Sequence, residues 1–237
     1  MENLKHLIFI FISYQVVNFS YVILNKILHN NKDYTLLQND RKLYIVKNTI
    51  KSITLICITI INYSTIIDIL FNSIFDKDSI IYLGIIYGIN DTYGLINVSN
   101  LPFSTKVHHS ITTLLYLSTL FYNYDDLGYL KGIVVYAVFS ILSGSVNGYL
   151  SYRFLYPKSI YRFYFKRFAF YNYLICFILE WIYQYKIFLE YYFDSRSFGL
   201  VYRIGFIMYI VCIHMIMYDD IKLIQFLRKD ARVRMVD

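Results

Sequence analysis

Apolar residues fall along this chain in seven runs separated by short polar or basic stretches. A helix needs about 20 mostly apolar residues to cross the hydrocarbon core of a bilayer. The runs at 7–28, 50–71, 80–98, 107–124, 130–155, 168–189 and 199–217 meet or approach that length. The expected fold class is all-α: a multi-pass membrane helical bundle of about seven transmembrane helices. Connections are short, with no linker, low-complexity tract, internal repeat or soluble domain. Pro102 and Pro157 are the two prolines, and both fall in predicted loops, where a backbone donor is dispensable.

Polar positions inside these runs are periodic too. In the fourth run His108, Thr112, Tyr116, Thr119 and Asn123 recur at spacings of four, four, three and four, which is one stripe of a helix. His109 and Thr113 widen that stripe. In the fifth run Ser140, Ser143, Gly144, Asn147 and Ser151 repeat the same period, so two helices present wet or closely packed faces. Close packing alone explains the fifth well, because Gly144-x-x-x-Gly148 beside serines is what helices use to approach each other in lipid.

Composition agrees with a bilayer as solvent: 57% of residues are hydrophobic and 16% charged, with a mean hydropathy of +0.45. Aromatic residues make up 20%, mostly Tyr, whose amphipathic ring settles at headgroup depth. Strict alternation of seven spans puts 17 of the 23 Lys and Arg on one side, the other six being Lys5, Lys77, Lys131, Lys186, Arg196 and Arg203. The positive-inside rule then predicts a cytosolic C-terminus and a lumenal or exterior N-terminus. A basic face beside anionic lipid accounts for the net charge of +7, so no nucleic-acid partner is expected. Lys5 ahead of the apolar residues 7–12 looks like a signal peptide, but Gln15, Asn18 and Asn25 interrupt the run and no A-x-A-like site follows, so retention as a span is expected. Cys57, Cys176 and Cys212 all fall inside predicted spans, which argues against a disulfide framework. Sequon matches at Asn18, Asn62, Asn90 and Asn97 lie in spans or at their cytosolic ends, where glycosylation does not reach.

Ionisable groups in a span are costly and usually face the bundle interior or a wet cavity. The histidine pair His108-His109 is therefore the leading candidate site. On the expected topology Asp91 lies about 10 Å from the cytosolic end of the third span at 1.5 Å per residue, and the pair opens the fourth span at that end. His214 belongs to the last turns of the seventh span on the same side, so Asp91, the pair and His214 are expected in one layer, with Glu180 nearer mid-bilayer as a second carboxylate. A carboxylate beside an imidazole holds its tautomer and raises its basicity, as in a histidine that removes a proton or attacks a carbonyl. The bland alternatives are interfacial imidazoles for the pair and His214, and a bundle polar contact for Asp91. No metal is expected, because adjacent histidines point about 100° apart on a helix and no His-x-x-x-His accompanies them.

The run 101–115, Leu-Pro-Phe-Ser-Thr-Lys-Val-His-His-Ser-Ile-Thr-Thr-Leu-Leu, resembles the double-histidine segment of TLC-domain proteins, the family of ceramide synthases and translocation-associated membrane proteins. Asn90-Asp91-Thr92-Tyr93 is similar to the family's aspartate in the preceding span. Residues 140–147 and Tyr152-Arg153-Phe154-Leu155 resemble its small-polar helix and exit, and residues 41–51 its basic approach. The resemblance covers roughly 41–232 as a six-helix membrane domain, with 1–40 as an added N-terminal helix and basic loop and 233–237 as a tail. It implies a helical bundle around a lipid-accepting cavity in the endoplasmic reticulum or a related host or viral membrane.

In the ceramide synthase branch the pair serves acyl transfer from acyl-CoA to a sphingoid amine, and carried over, His108 or His109 would be base or acyl acceptor with Asp91 as its carboxylate. This chain departs from that branch: its fifth span offers Ser, Gly and Asn in place of a His-Asp and Asp, Leu-Glu cluster, and Asp125 and Asp126 are expected at the opposite face. The resemblance therefore implies the other branch, with membrane lipid as partner, no resident cofactor, and a role in lipid sensing, lipid homeostasis or membrane composition. The expected cavity residues are Thr112, Tyr116, Ser143, Asn147, Glu180 and His214 beside the pair. The alternative is a membrane N-acyltransferase with acyl-CoA as co-substrate. A seven-span receptor is disfavoured by the lack of Asp-Arg-Tyr and Asn-Pro-x-x-Tyr elements, and a transporter by the lack of paired inverted repeats. No sequence signal sets an oligomeric state.

Overall fold

The computed structural model describes residues 2–98, 101–119, 128–194 and 199–229, and among these no strand occurs. The helices are α1 (Glu2–Leu28), α2 (Lys32–Thr35), α3 (Asn39–Ile61), α4 (Tyr63–Ile67), α5 (Lys77–Asn97), α6 (Phe103–Thr119), α7 (Leu130–Leu142), α8 (Ser145–Leu155), α9 (Tyr161–Asp194) and α10 (Leu200–Lys229), with one π-helical turn at Asp68–Asn72. Side chains set several ends. Asn31 caps α2 by accepting from the Tyr34 N–H at 3.0 Å, and Asp76 caps α5 by accepting from Ser79 N–H at 3.0 Å. Ser73, with φ at 54°, closes the π turn in the left-handed region.

Among the described residues, four helical stretches are long and apolar enough to cross a membrane: Leu4–Leu28, Asn39–Ile61, the α7–α8 rod Leu130–Leu155, and Tyr202–Lys229. The polar fourth run of the sequence begins at Phe103 as α6, and the sixth extends to 34 residues as α9. Two boundaries differ from the apolar pattern in a way that matters. α3 starts at Asn39 rather than 50, and α10 runs on to Lys229 rather than stopping at 217. Hydropathy falls at both places because charged residues enter the pattern, yet the backbone stays helical because several of those residues turn inward.

α3, α5, α6, α10, α9 and the α7–α8 rod pack in that order into a closed ring, α8 returning to α3, while α1 lies outside against α5 and α3. α1 is the least covered span, with 11% of its apolar window buried against 61% for the α7–α8 rod. Phe11, Phe19, Ile60, Ile61 and Phe168 point outward, whereas Lys47, Lys51, Asp91, His109 and Gln184 are buried. Apolar surface outside and ionisable groups inside is the arrangement a lipid solvent favours.

The rod breaks at Ser143–Gly144, between α7 and α8. A Cβ at Gly144 would stand 2.8 Å from Leu55 Cβ on α3, so only glycine permits this approach. Ser52 Oγ then donates to the Gly144 carbonyl at 3.0 Å. The Gly144-x-x-x-Gly148 face is thus a close-packing face, while Ser143 and Asn147 beside it line the interior of the ring.

Candidate functional site

α3, α6, α7, α8 and α10, with Tyr87 of α5 and Tyr173 of α9, line an open cavity of about 430 Å³ at the end of the bundle where α5 gives way to α6. That volume lies within the range of small-ligand pockets, about 300–1,000 Å³. His108, His109, Ser143 and Asn147 line it, together with Lys47, Lys51, Tyr136, Arg153, Tyr173, Asp219 and Asp220.

His109 belongs to a network on the α3 and α5 side. Its Nδ1 lies 2.9 Å from Asp91 Oδ1, and its Nε2 lies 2.9 Å from Lys47 Nζ. Lys47 donates there, so Nδ1 carries the ring proton and faces the carboxylate. Lys51 Nζ is ion-paired and hydrogen-bonded to the same Asp91 oxygen and sits 5.2 Å from the Tyr87 ring centroid. Asp91 is wholly buried. Lys47 reaches His109 only because position 94 is glycine: its Cε, Nζ and Cδ occupy the space that a Cβ there would need.

His108 faces the other way. Its Nε2 is 2.9 Å from the Tyr136 hydroxyl on α7, and its Nδ1 stands 3.4 Å from Asp219 Oδ2 and 3.9 Å from Asp220 Oδ1 on α10. With Tyr136 donating to Nε2, Nδ1 carries the proton toward the two carboxylates. Tyr173 donates to Asp220 at 2.7 Å, and Thr105 donates to Asp219 at 3.4 Å. The carboxylates that face His108 thus come from the last helix. His108 is an imidazole with an acid on one nitrogen and a phenol on the other, which equips it to take up and return a proton.

Asp91 Oδ2 and Arg153 Nε are buried here with no hydrogen-bond partner. Buried polar groups are normally satisfied, so these two mark unspent bonding capacity around the cavity. Behind its Tyr87 and Tyr136 wall lies an apolar pocket lined by Leu83, Thr112, Leu115, Tyr116, Val134 and Ile141, among others.

The sequence candidates thus divide. Asp91, His108, His109, Ser143 and Asn147 come together. Thr112 and Tyr116 line the apolar pocket. Glu180 is buried in a small recess with Cys176, Phe177 and Asp220, beside the main cavity and outside its lining. His214, expected in the same layer, lies instead on the outer face of α10, its ring stacked on Phe188 at 6.0 Å and edge-on to Trp181 at 5.4 Å. Asn123, Asp125 and Asp126 lie outside the described residues.

Lys47, Lys51, Asp219 and Asp220 are additions that apolar runs did not single out. Lys47 and Lys51 are four apart on α3, one helical face. Ile213, Ile216, Asp220 and Leu227 are buried at spacings of three, four and seven, so the core stripe of α10 runs straight through the aspartate. Among the described residues no three His, Cys, Asp or Glu side chains gather as metal ligands. No protein-family model, curated protein or solved structure matches the chain.

Proposed function

We propose that this chain is a TLC-domain-like integral membrane protein that holds a membrane lipid in its central cavity and acts in lipid sensing, lipid homeostasis or the control of membrane composition. In this reading the seven rods, α1, α3, α5, α6, α7–α8, α9 and α10, are seven spans with the N-terminus lumenal or exterior. Lys47, Lys51 and Lys166 are buried and leave the orientation count, and fourteen basic residues against six support a cytosolic C-terminal side. The endoplasmic reticulum or a related membrane is the setting this implies.

The observation that carries the reading is a charged cavity of about 430 Å³ inside a bundle whose outer faces are apolar. An amphiphile has the matching parts, a head for the polar cavity and chains for the apolar surroundings of the bundle. Bound lipid is expected in the protein purified in mild detergent. Comparative lipidomics of cells making wild type and the His108→Ala, His109→Ala double variant tests the role. Loss of both the bound lipid and the lipid-profile effect is expected, and identical profiles from the two would reject it.

A second reading, N-acyl transfer from acyl-CoA to a lipid amine, is favoured by the contact of His108 with Asp219 and Asp220. The amine attacks the thioester carbonyl and gives a proton to His108, which returns it to the departing thiolate, so amide and free thiol are the products. Acyl-CoA-dependent amide that vanishes in His108→Ala supports it, and wild-type protein that makes none removes it.

A further inference from the structure

The cavity carries surplus charge of opposite sign on its two sides. On the α3 and α8 side, Lys47 Nζ has the His109 imidazole as its neighbour, and among the described residues no carboxylate pairs with it. Arg153 lies with its guanidinium carbon 4.6 Å from the Phe154 ring centroid and 4.7 Å from that of Phe226, beside the Tyr44 hydroxyl, and its buried Nε has no hydrogen-bond partner. None of these neighbours is a carboxylate. Lys51 adds nothing to the surplus, because Asp91 offsets it.

On the α10 side, Asp219 and Asp220 share one imidazole. Tyr173 and Thr105 give them hydrogen bonds without charge. Two carboxylates against one imidazole leave that wall negative even when His108 is protonated. Lys222 also lines the cavity, but its Nζ is turned to the exposed Tyr218 ring at 4.2 Å and no ion pair joins it to either aspartate among the described residues. α10 packs chiefly on α6 and α9 and meets α8 through Phe226, which covers Arg153, so the two sets of charges line different helices of one cavity.

A purely anionic ligand would meet repulsion at α10, and a purely cationic one at α3 and α8, where low dielectric makes like-charge contact expensive. We propose that the cavity selects a zwitterionic phospholipid head, with the phosphate toward Lys47 and Arg153 and a protonated primary amine toward Asp219 and Asp220. This rests on the lipid-cavity reading above and adds the class of lipid. An amine with N–H groups suits the site, because carboxylate and hydroxyl oxygens accept from it. The acyl chains lie outside the cavity, since the apolar pocket beyond Tyr87 and Tyr136, about 40 Å³, does not hold them.

The test is native mass spectrometry of the full chain in detergent, titrated with four lipids that share dioleoyl chains: phosphatidylethanolamine, phosphatidic acid, a dioleoyl ammonium lipid and dioleoylglycerol. Phosphatidylethanolamine is expected to bind about tenfold more tightly than each of the others, since charge complementarity sets specificity. Asp219→Asn with Asp220→Asn is expected to raise phosphatidic acid to parity, and Arg153→Gln to do so for the ammonium lipid. Wild-type protein that holds phosphatidic acid as tightly as phosphatidylethanolamine overturns the zwitterion while leaving a lipid cavity in place. Binding of none of the four overturns both. Free phosphoethanolamine that binds as tightly as the lipid overturns the lipid source of the head. The wild-type ranking decides even where a variant fails to fold.

Discussion

His108 and His109 are neighbours on α6, with ring centroids 5.5 Å apart, yet they occupy opposite kinds of environment. His109 looks toward α3 and α5, where Lys47, Lys51 and Asp91 form a closed set of contacts. His108 looks toward α7 and α10, where Tyr136 stands in the wall shared by cavity and pocket and two carboxylates compete for one nitrogen. One residue of helix is a turn of about 100°, enough to send adjacent imidazoles to different helices. The difference teaches that a doubled histidine is two parts with separable duties: His109 ties α6 to α3 and α5, and His108 is offered to whatever enters the cavity.

The strongest way to break that comparison is to attack the closed side. Lys51→Met leaves Asp91 buried with its main counter-charge removed, and breaking one partner of a buried pair costs about 3–5 kcal/mol. Thermal and denaturant unfolding in detergent micelles is expected to show that loss. The double variant Lys51→Met, Asp91→Leu is expected to recover most of it, because an apolar pair of similar volume removes the orphaned charge. A single variant as stable as wild type would show that the pair does not carry the bundle.

Gly94→Leu attacks the same side through space alone. The new side chain takes the place of the Lys47 stem, and overpacking of this kind costs roughly 1–3 kcal/mol. Because Lys47 is driven from His109 while His108 keeps Tyr136, stability is expected to fall with lipid occupancy partly retained. Loss of occupancy in proportion to a variant at His108 would merge the two histidines into one functional unit.

How much of this was legible in the sequence depends on the distance over which each signal acts. Apolar runs located the rods, since bilayer thickness imposes a length on each. Asp91 and the histidine pair stood out because ionisable residues inside such runs are rare. Lys47 and Lys51 did not, because lysines near a span boundary look like positive-inside anchors until the helix is known to begin at Asn39. Asp219 and Asp220 lay just past the last apolar run, and only the buried stripe through Ile213, Ile216 and Leu227 places them in the core. Which way His214 points is tertiary information, supplied by Trp181 and Phe188 of α9.

Tyr136→Phe sharpens the open side. The hydroxyl bonded to His108 Nε2 is lost, and a hydrogen bond of this kind contributes about 1 kcal/mol net. The expected result is a small drop in stability together with a larger drop in lipid occupancy or acyl transfer, since the His108 proton loses its fixed position. An unchanged lipid profile would detach the Tyr136–His108 pair from the site.

His214→Ala is the smallest change and serves as the control for the others. The ring lies outside the cavity, exposed on α10, with its Nδ1 bonded back to the Ile210 carbonyl at 2.7 Å and its face against Phe188. Exposed substitutions away from caps and cores usually stay within about 0.5 kcal/mol, so unfolding is expected to match wild type within that margin. Lipid occupancy and lipid profile are expected to be unchanged, because no cavity contact is removed. A lipid defect in this variant with stability intact would mean that the outer face of α9 and α10, rather than the interior beside His108, is where lipid acts on the protein.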